Sequence, residues 1–383
     1  MSSNIINASN MKLLNKFSVL KCIRENNVSR ADISRITSLT RASITNIVNE
    51  LLQEKLVIEY AYSEPKIGRR AINLAINGTY AYAIGIIISR KIYTVNLIDL
   101  NCDIVESFSI PNEGQQKEII LDFFSEKVEY IKNKFEGKIL GIGINSPGPV
   151  DSINGNILNP PNLNEWHYFN ICQFFSDKFE IPSFIEKDIN SYALFEKTFG
   201  IGRTKKNFVQ IFADDGIGSA LVLDGELFSG FGQGIEFGHI SIDSFSGKKC
   251  PCGNTGCIEM YASIPNIIKE YKEKGYNFNS WKEVMDGAYN NNPNALEIID
   301  KTSAYLSSAF TSFLNIFNVY TIVISGELMY KSELLYNKIK QEICKKTIYK
   351  RSNGVKFYNS SSDDYFNKTA GNIVLEKFFT NTL

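Results

Sequence analysis

The chain has 383 residues, enough for two or three domains. Apolar content of 44%, charge of 21% and a net charge of zero describe a folded globular protein, with no uninterrupted apolar run long enough to span a membrane. The N-terminus lacks the basic-then-apolar pattern of a secretory leader, and seven cysteines, an odd number, point to a reducing, cytoplasmic setting.

The neutral total hides an asymmetry. Residues 1–78 hold eleven Lys or Arg against six Asp or Glu, so a basic head with a surplus of five sits on an acidic body. That is the electrostatic pattern of a nucleic-acid-binding segment. Leu13, Phe17 and Leu20 recur at helical spacing over residues 12–26. Ser29 and Asp32 form a Ser-x-x-Asp start for a short second helix, with Ile33 and Ile36 expected in its core. Ser38-Leu39-Thr40 is a short turn, and Thr40 caps a third helix from Arg41 to about Glu54, with Ile44, Ile47, Val48 and Leu51 inward. Arg41, Ser43, Thr45, Asn46 and Asn49 occupy the other face. Two helices across a three-residue turn, the second opening on donors for phosphates and base edges, make a helix-turn-helix. Residues 57–62 and 71–76 read as strands flanking the polar loop 63–70, a wing. Its Arg69 and Arg70 are placed to enter an adjacent minor groove. A three-helix protein-interaction module is the alternative.

From Tyr80 the pattern becomes one of strands alternating with helices, which implies α/β architecture. Strands are expected at 83–88, 93–100, 139–144, 183–186, 208–212, 218–223 and 321–325, with helices at 115–135 and through much of 264–345. Two sheet-forming units imply two lobes with a ligand cleft. Between Glu236 and Glu259 fall one imidazole and three thiols: His239, Cys250, Cys252 and Cys257. Three thiolates and a histidine nitrogen form the closed tetrahedral set of structural zinc. Gly253 and Gly256 permit tight turns between the last ligands. The alternative is three unrelated reduced cysteines near a histidine.

Several segments match one family. They are Ser146-Pro147-Gly148-Pro149-Val150-Asp151, Asn162-Leu163 with Trp166, Lys187-Asp188-Ile189-Asn190, Gly216-Ile217-Gly218, and Glu236-Phe237-Gly238-His239 followed by the cysteine cluster. On these, residues 80–383 resemble the ROK family of sugar kinases and sugar-responsive repressors, and the whole chain resembles its NagC/XylR-type repressors. The resemblance implies a winged helix-turn-helix over 1–78, then a two-lobed, actin-like (ribonuclease-H-like) ROK domain over 79–383. The lobes would divide near residue 187, with the C-terminal helix returning to the first. It further implies a homodimer or dimer of dimers, operator DNA as partner, and a sugar or sugar-phosphate effector. Gly148, Asp188, Glu236, His239 and Glu259 match sugar-contacting positions, with His239 also a zinc ligand. Lys187 stands where the family usually has Asn. It either favours a phosphorylated or acidic sugar, points to solvent, or pairs with Glu186 or Asp188.

The kinase branch carries an Asp-x-Gly-x-Thr type loop after the first strand. Here the stretch reads Ile86-Ile87-Ile88-Ser89-Arg90-Lys91. The second phosphate loop, Gly-Thr-Gly-x-Gly in kinases, is Asp214-Asp215-Gly216-Ile217-Gly218. A like-charge pair at 4 Å costs roughly 4 kcal/mol at an effective dielectric near 20. The expectation is therefore a sugar-responsive repressor of carbohydrate-utilisation genes, xylose among the candidate effectors, without catalysis. The alternatives are an ATP-dependent sugar kinase that keeps a DNA-binding head, and a docking platform that binds no sugar.

Overall fold

The computed structural model describes residues 8–26, 28–61, 72–347, 354–360 and 365–383. The wing loop, with Arg69 and Arg70, lies outside them. The chain divides into two compact units, Met1–Leu194 with Asp363–Leu383, and Phe195–Ser362.

The first unit begins with three helices, α1 (Ala8–Glu25), α2 (Arg30–Thr37) and α3 (Arg41–Gln53), and strands β1 (Val28–Ser29), β2 (Val57–Ala61) and β3 (Ile72–Ile76) in the order β1-β3-β2. Sequence chemistry sets each boundary. Ser29 and Asp32 cap α2 reciprocally, and Ser38 ends it at φ 58°. The Thr40 side chain accepts from the Ser43 amide to start α3. Val19, Leu20, Ile33, Ile44, Val48, Leu51 and Leu74 are buried. Two expectations change. Ile36 is 58% exposed and Leu13 43% exposed. On α2 the buried position is Ile33. On α1 the buried positions are Val19, Leu20, Cys22 and Ile23, one turn and more further on.

The chain then enters a five-stranded sheet made of β4 (Ala81–Ile88), β5 (Ile92–Asp99), β6 (Ile104–Pro111), β7 (Lys138–Ser146) and β11 (Ser183–Lys187). Its order is β11-β7-β4-β5-β6. β4, β5 and β6 pair antiparallel, while β7 and β11 add in parallel. Helix α4 (Lys117–Lys134) and α5 (Ile171–Phe179) join one face, packing on Ile84, Ile86, Ile142 and Ile144. A small sheet, β8 (Val150–Asp151), β9 (Asn156–Ile157) and β10 (Phe169–Asn170), follows β7. Leu163 and Trp166 are fully buried there, Trp166 against Tyr93 and Phe124. β11 runs directly into α6 (Asp188–Phe199).

The second unit repeats the plan with β12 (Phe208–Ala213), β13 (Ile217–Leu223), β14 (Glu226–Leu227), β15 (Thr321–Ser325) and β16 (Lys356–Asn359), in the order β14-β13-β12-β15-β16. Again the first three strands are antiparallel and the last two parallel. Both sheets thus share the order 3-2-1-4-5, the duplicated topology of actin-like folds. Helices α7 (Glu259–Ala262), α8 (Ile264–Glu273), α9 (Trp281–Tyr289), α10 (Pro293–Phe317) and α11 (Glu333–Lys346) build its core around Trp281, Ile298, Phe310 and Phe313. The chain returns to the first unit with α12 (Phe366–Thr380). This helix lies on the other face of that sheet, where Gly85 and Gly143 admit its backbone. A Cβ on Gly143 would sit 1.9 Å from the Ala370 carbonyl oxygen, and one on Gly85 2.6 Å from the Gly371 nitrogen.

Candidate functional site

The head presents α3 outward. Arg41, Thr45, Asn46 and Asn49 are exposed along it, and so is Ala42, which its apolar character had hidden. Ser43 is half-buried, its hydroxyl 2.9 Å from that of Thr40. Thr45 donates its hydroxyl hydrogen to the Arg41 carbonyl at 2.8 Å, which leaves its methyl as the free end. Arg30, not singled out from the sequence, reaches Glu59 at 2.5 Å and donates to the Asn49 side chain at 3.3 Å. Its signal was its place just after the Ser29 cap, beside α3.

The first unit brings Gly148, Lys187 and Asp188 together. Lys187 ends β11 and pairs in register with Ser146 of β7. A Cβ on Gly148 would lie 3.0 Å from both Cδ and Cε of Lys187, so the lysine stem covers the glycine. Lys187 is buried, 5% exposed, which removes the solvent-pointing alternative. Asp188 opens α6, and its carboxylate accepts from the Ile189 amide at 2.7 Å. The N-terminal end of the helix favours that negative charge. Beneath, Glu186 accepts from the Lys187 amide at 3.0 Å and from the Asn190 side chain at 2.7 Å. Burial nevertheless holds the Glu186 carboxyl above its ordinary range.

The second unit carries the remaining residues. Glu236 and His239 flank one turn of 3-10 helix, with the His239 amide donating to the Glu236 carbonyl at 3.1 Å. Ser219 fixes that turn by accepting from the Phe237 amide at 2.9 Å and donating to the Ile235 carbonyl at 3.0 Å. Glu259 opens α7, and its carboxylate accepts from the Ile217 amide at 2.8 Å. That ties the Gly216-Ile217 loop to the end of the cysteine segment.

His239, Cys250, Cys252 and Cys257 converge, with their ligand atoms all within 4.8 Å of one another. The Cys250 sulfur lies 3.7 Å from His239 Nδ1, and the Cys252 and Cys257 sulfurs lie 3.7 Å apart. Four ligands about 2.3 Å from a tetrahedral centre stand about 3.7–3.8 Å apart, whereas a disulfide needs about 2.05 Å. The spacing is that of a metal set. Gly253 and Gly256, at φ 95° and 80°, make the turns between Cys250 and Cys257. The Cys250 amide donates to Asn254, closing a tight knuckle. Burial, with the neighbouring thiols, pushes the Cys257 thiol up to about 12, whereas backbone donation lowers Cys252. Three thiols this close do not ionise together without a cation between them. The donor set therefore fits a thiophilic metal such as zinc.

A separate cavity of about 480 Å³ in this unit is lined by Asp214, Asp215, Lys269, Lys272, Glu273 and Glu327, among others. Among the described residues, no helix is long and apolar enough to cross a membrane.

The comparisons agree with this geometry. The ROK family model matches residues 83–377. A xylose repressor of Bacillus spizizenii is 30% identical over 356 residues, 92% of each chain. The Escherichia coli DNA-binding transcriptional dual regulator NagC is 26% identical over 348 residues, 87% of this chain and 85% of its own. A crystal structure of a ROK family transcriptional regulator, described as a homolog of the E. coli MLC protein, superposes with a TM-score of 0.80. It is 25% identical and covers 97% of this chain and 98% of that one. A ROK glucokinase of Streptomyces griseus, solved with glucose and AMPPNP, shares the fold at 20% identity and a TM-score of 0.62, over 76% of this chain and 98% of its own. With the family model spanning both five-stranded sheets and full-length relatives aligned through the head, the chain belongs to the ROK family.

Proposed function

We propose that this chain is a one-component, sugar-responsive repressor of carbohydrate-utilisation genes. The observation that carries the reading is an exposed recognition helix, α3, on a chain whose 92% matches a xylose repressor. Arg41, Ser43, Thr45, Asn46 and Asn49, with Arg69 and Arg70 of the wing, contact an operator. A two-fold site is read by a homodimer. Gly148, Lys187, Asp188, Glu236, His239 and Glu259 contact the sugar. Carboxylates accept from vicinal hydroxyls, and a metal-bound imidazole donates through its free nitrogen. The first effector to test is D-xylose, because that is the sugar in the names of the two Bacillus relatives that match over 92% of this chain. Zinc, held by His239, Cys250, Cys252 and Cys257, is structural. It braces the loop that runs from Glu236 and His239 to the start of α7 at Glu259.

Catalysis is not part of this reading. Asp214 and Asp215 stand where kinases of the family present glycine-rich backbone to a triphosphate, and like charge there costs roughly 4 kcal/mol at 4 Å and a dielectric near 20. The sugar acts by binding one conformational state of the repressor better than the other, so operator affinity falls.

The test is binding of the purified chain to DNA from upstream of its own gene, at fixed salt, across neutral sugars and sugar phosphates. A tenfold or greater loss of affinity with one sugar, about 1.4 kcal/mol of coupling, supports the reading and names the effector. Sugar-dependent ATP consumption would instead establish a kinase. DNA binding indifferent to every sugar would make the body a docking platform.

A further inference from the structure

We infer that Arg24 is a positioning residue that sets the operator-binding head through the C-terminal helix. This rests on the repressor reading above. Arg24 stands near the end of α1, the first helix of the head. Its guanidinium donates to the Glu376 carboxylate at 2.7 Å and to the Asn372 side-chain oxygen at 2.8 Å. Its carbon lies 4.3 Å from the centre of the Phe379 ring. The three partners are successive turns of one stripe on α12, at i, i+4 and i+7 from Asn372. The ion pair is nearly dry: the side chains are 5% and 10% exposed.

Burying a guanidinium and a carboxylate is a poor way to gain stability, because desolvation offsets most of the attraction. An apolar pair would hold two helices together as firmly. What the fork adds is direction. A planar cation held on two oxygens and stacked on a ring permits one angle between α1 and α12. The covalent path supplies a second point of attachment. β3 leads through Asn77 and Gly78 into β4, with Asn77 donating to the Lys55 carbonyl and the Leu100 amide to Gly78. Two attachments fix an orientation that one leaves free to turn.

The other end of α12 is seated next to a proposed effector loop. Asn145 donates to Thr369 at 2.9 Å, both fully buried, and Asn145 lies three residues before Gly148. Asn96 donates to the Asn367 carbonyl at 2.5 Å. The Gly143–Ala370 approach leaves no room for sliding. Thr369 and Glu376 are seven residues apart, about 10 Å along the helix. α12 is thus a short rigid bar with the β7 loop at one end and the head at the other.

The experiment uses the full chain and DNA from upstream of its own gene. Without sugar, Arg24→Gln and Glu376→Gln are each expected to weaken DNA binding at least fivefold. The double variant should be no worse than the poorer single one, and Arg24→Lys should recover part of the loss. Hydrogen exchange in α2 and α3 should match the wild type, showing that the head is folded. Thr369→Val removes the Asn145 bond without touching the head. It should leave sugar-free DNA affinity within twofold of wild type and reduce the response to D-xylose at least threefold, with D-xylose binding by calorimetry retained. Wild-type DNA affinity in both single variants, or losses that add in the double, overturns the inference. A full D-xylose response in Thr369→Val overturns the part assigned to α12 as a bar. If the wild type responds to no sugar, the repressor reading fails, and the joint is still decided by the Arg24 and Glu376 variants.

Discussion

Gly143→Ala tests the seating of α12 by the smallest possible change. The added Cβ would lie 1.9 Å from the Ala370 oxygen and 2.9 Å from its carbonyl carbon. That is about 1.5 Å short of ordinary contact. The obstacle is helix backbone, so no side-chain rotation relieves it. Either α12 lifts or β7 bends, and overpacking of this kind costs about 3 kcal/mol, the upper part of the usual range. At about 2–4 °C per kcal/mol for a unit of this size, the first unit should melt roughly 6–12 °C lower. Gly371→Ala is the control. Its Cβ would lie 2.6 Å from Ile98 Cδ1, the movable end of a side chain. The gain of about 1 kcal/mol in helix propensity offsets the repacking. Its net effect should stay within about 1 kcal/mol. Scanning calorimetry reads both, with hydrogen exchange of the α12 amides assigning the transition. Equal losses in the two variants, or no shift for Gly143→Ala, would refute the close-approach argument.

Four further outcomes follow from named contacts. Cys257→Ser should abolish metal retention, read by native mass spectrometry as one bound ion per chain in the wild type and none in the variant; undiminished retention would remove the four-ligand set. Asn46→Ala should cost about 1–3 kcal/mol of operator affinity and relax the preference at one base pair, whereas Arg41→Ala should flatten the salt dependence by about one unit of slope without changing sequence preference. Ser29→Ala should cost about 1 kcal/mol through loss of the α2 cap; the Asp32 carboxyl, held down chiefly by the Ser29 hydroxyl, contributes stability above its unfolded value that is lost as pH falls through its lower folded value, so the gap between Ser29→Ala and wild type should narrow in acid. Glu186 has the opposite sign: burial raises its folded pKa, so its contribution is present below the unfolded value near 4.3 and is lost as pH rises through the folded one. Glu186→Gln keeps an oxygen for Lys187 and Asn190 and should stabilise the chain more at pH 8 than at pH 4; a difference independent of pH would show that the carboxyl is not perturbed.

The alternation of apolar strands with helices announced both sheets, because buried parallel strands such as β7 and β15 read as unbroken apolar runs. Capping chemistry at Ser29 and Thr40 announced the head, since those hydroxyls satisfy helix-start amides wherever they stand. β6 escaped because its exposure alternates along an edge, with Glu106, Ser107 and Ser109 diluting the apolar pattern. β8, β9 and β10 are two residues each, too short for any period. Ile36 misled because apolar spacing says which residues share a helix face, not whether a neighbour covers it. The convergence of His239, Cys250, Cys252 and Cys257 was legible from residue type and spacing alone. The Arg24 joint was not, because its partners lie about 350 positions away, and no local rule links them.

The segment from Glu236 to Cys257 carries a structural problem that an ion on its four donors would resolve. Apart from one 3-10 turn, its regular structure among the described residues is two isolated bridges, Ser241 with Cys257 and Lys249 with Thr255. Ordering each residue of such a loop costs about 1–2 kcal/mol, and two isolated bridges return little of it. Phe245 is fully exposed and Phe231 nearly so, which leaves the neighbouring chain little core of its own. A closed four-ligand ion supplies binding energy of about 10 kcal/mol or more in small metal-folded units. The sheet core around Phe237, Phe310 and Phe313 needs no such help. Mild chelation should therefore disorder this loop first and leave the second unit folded. The expected record is lost sugar response and raised exchange at residues 240–257, with protection in β12, β13 and α10 unchanged. Simultaneous loss of both would place the metal in the folding of the whole unit instead.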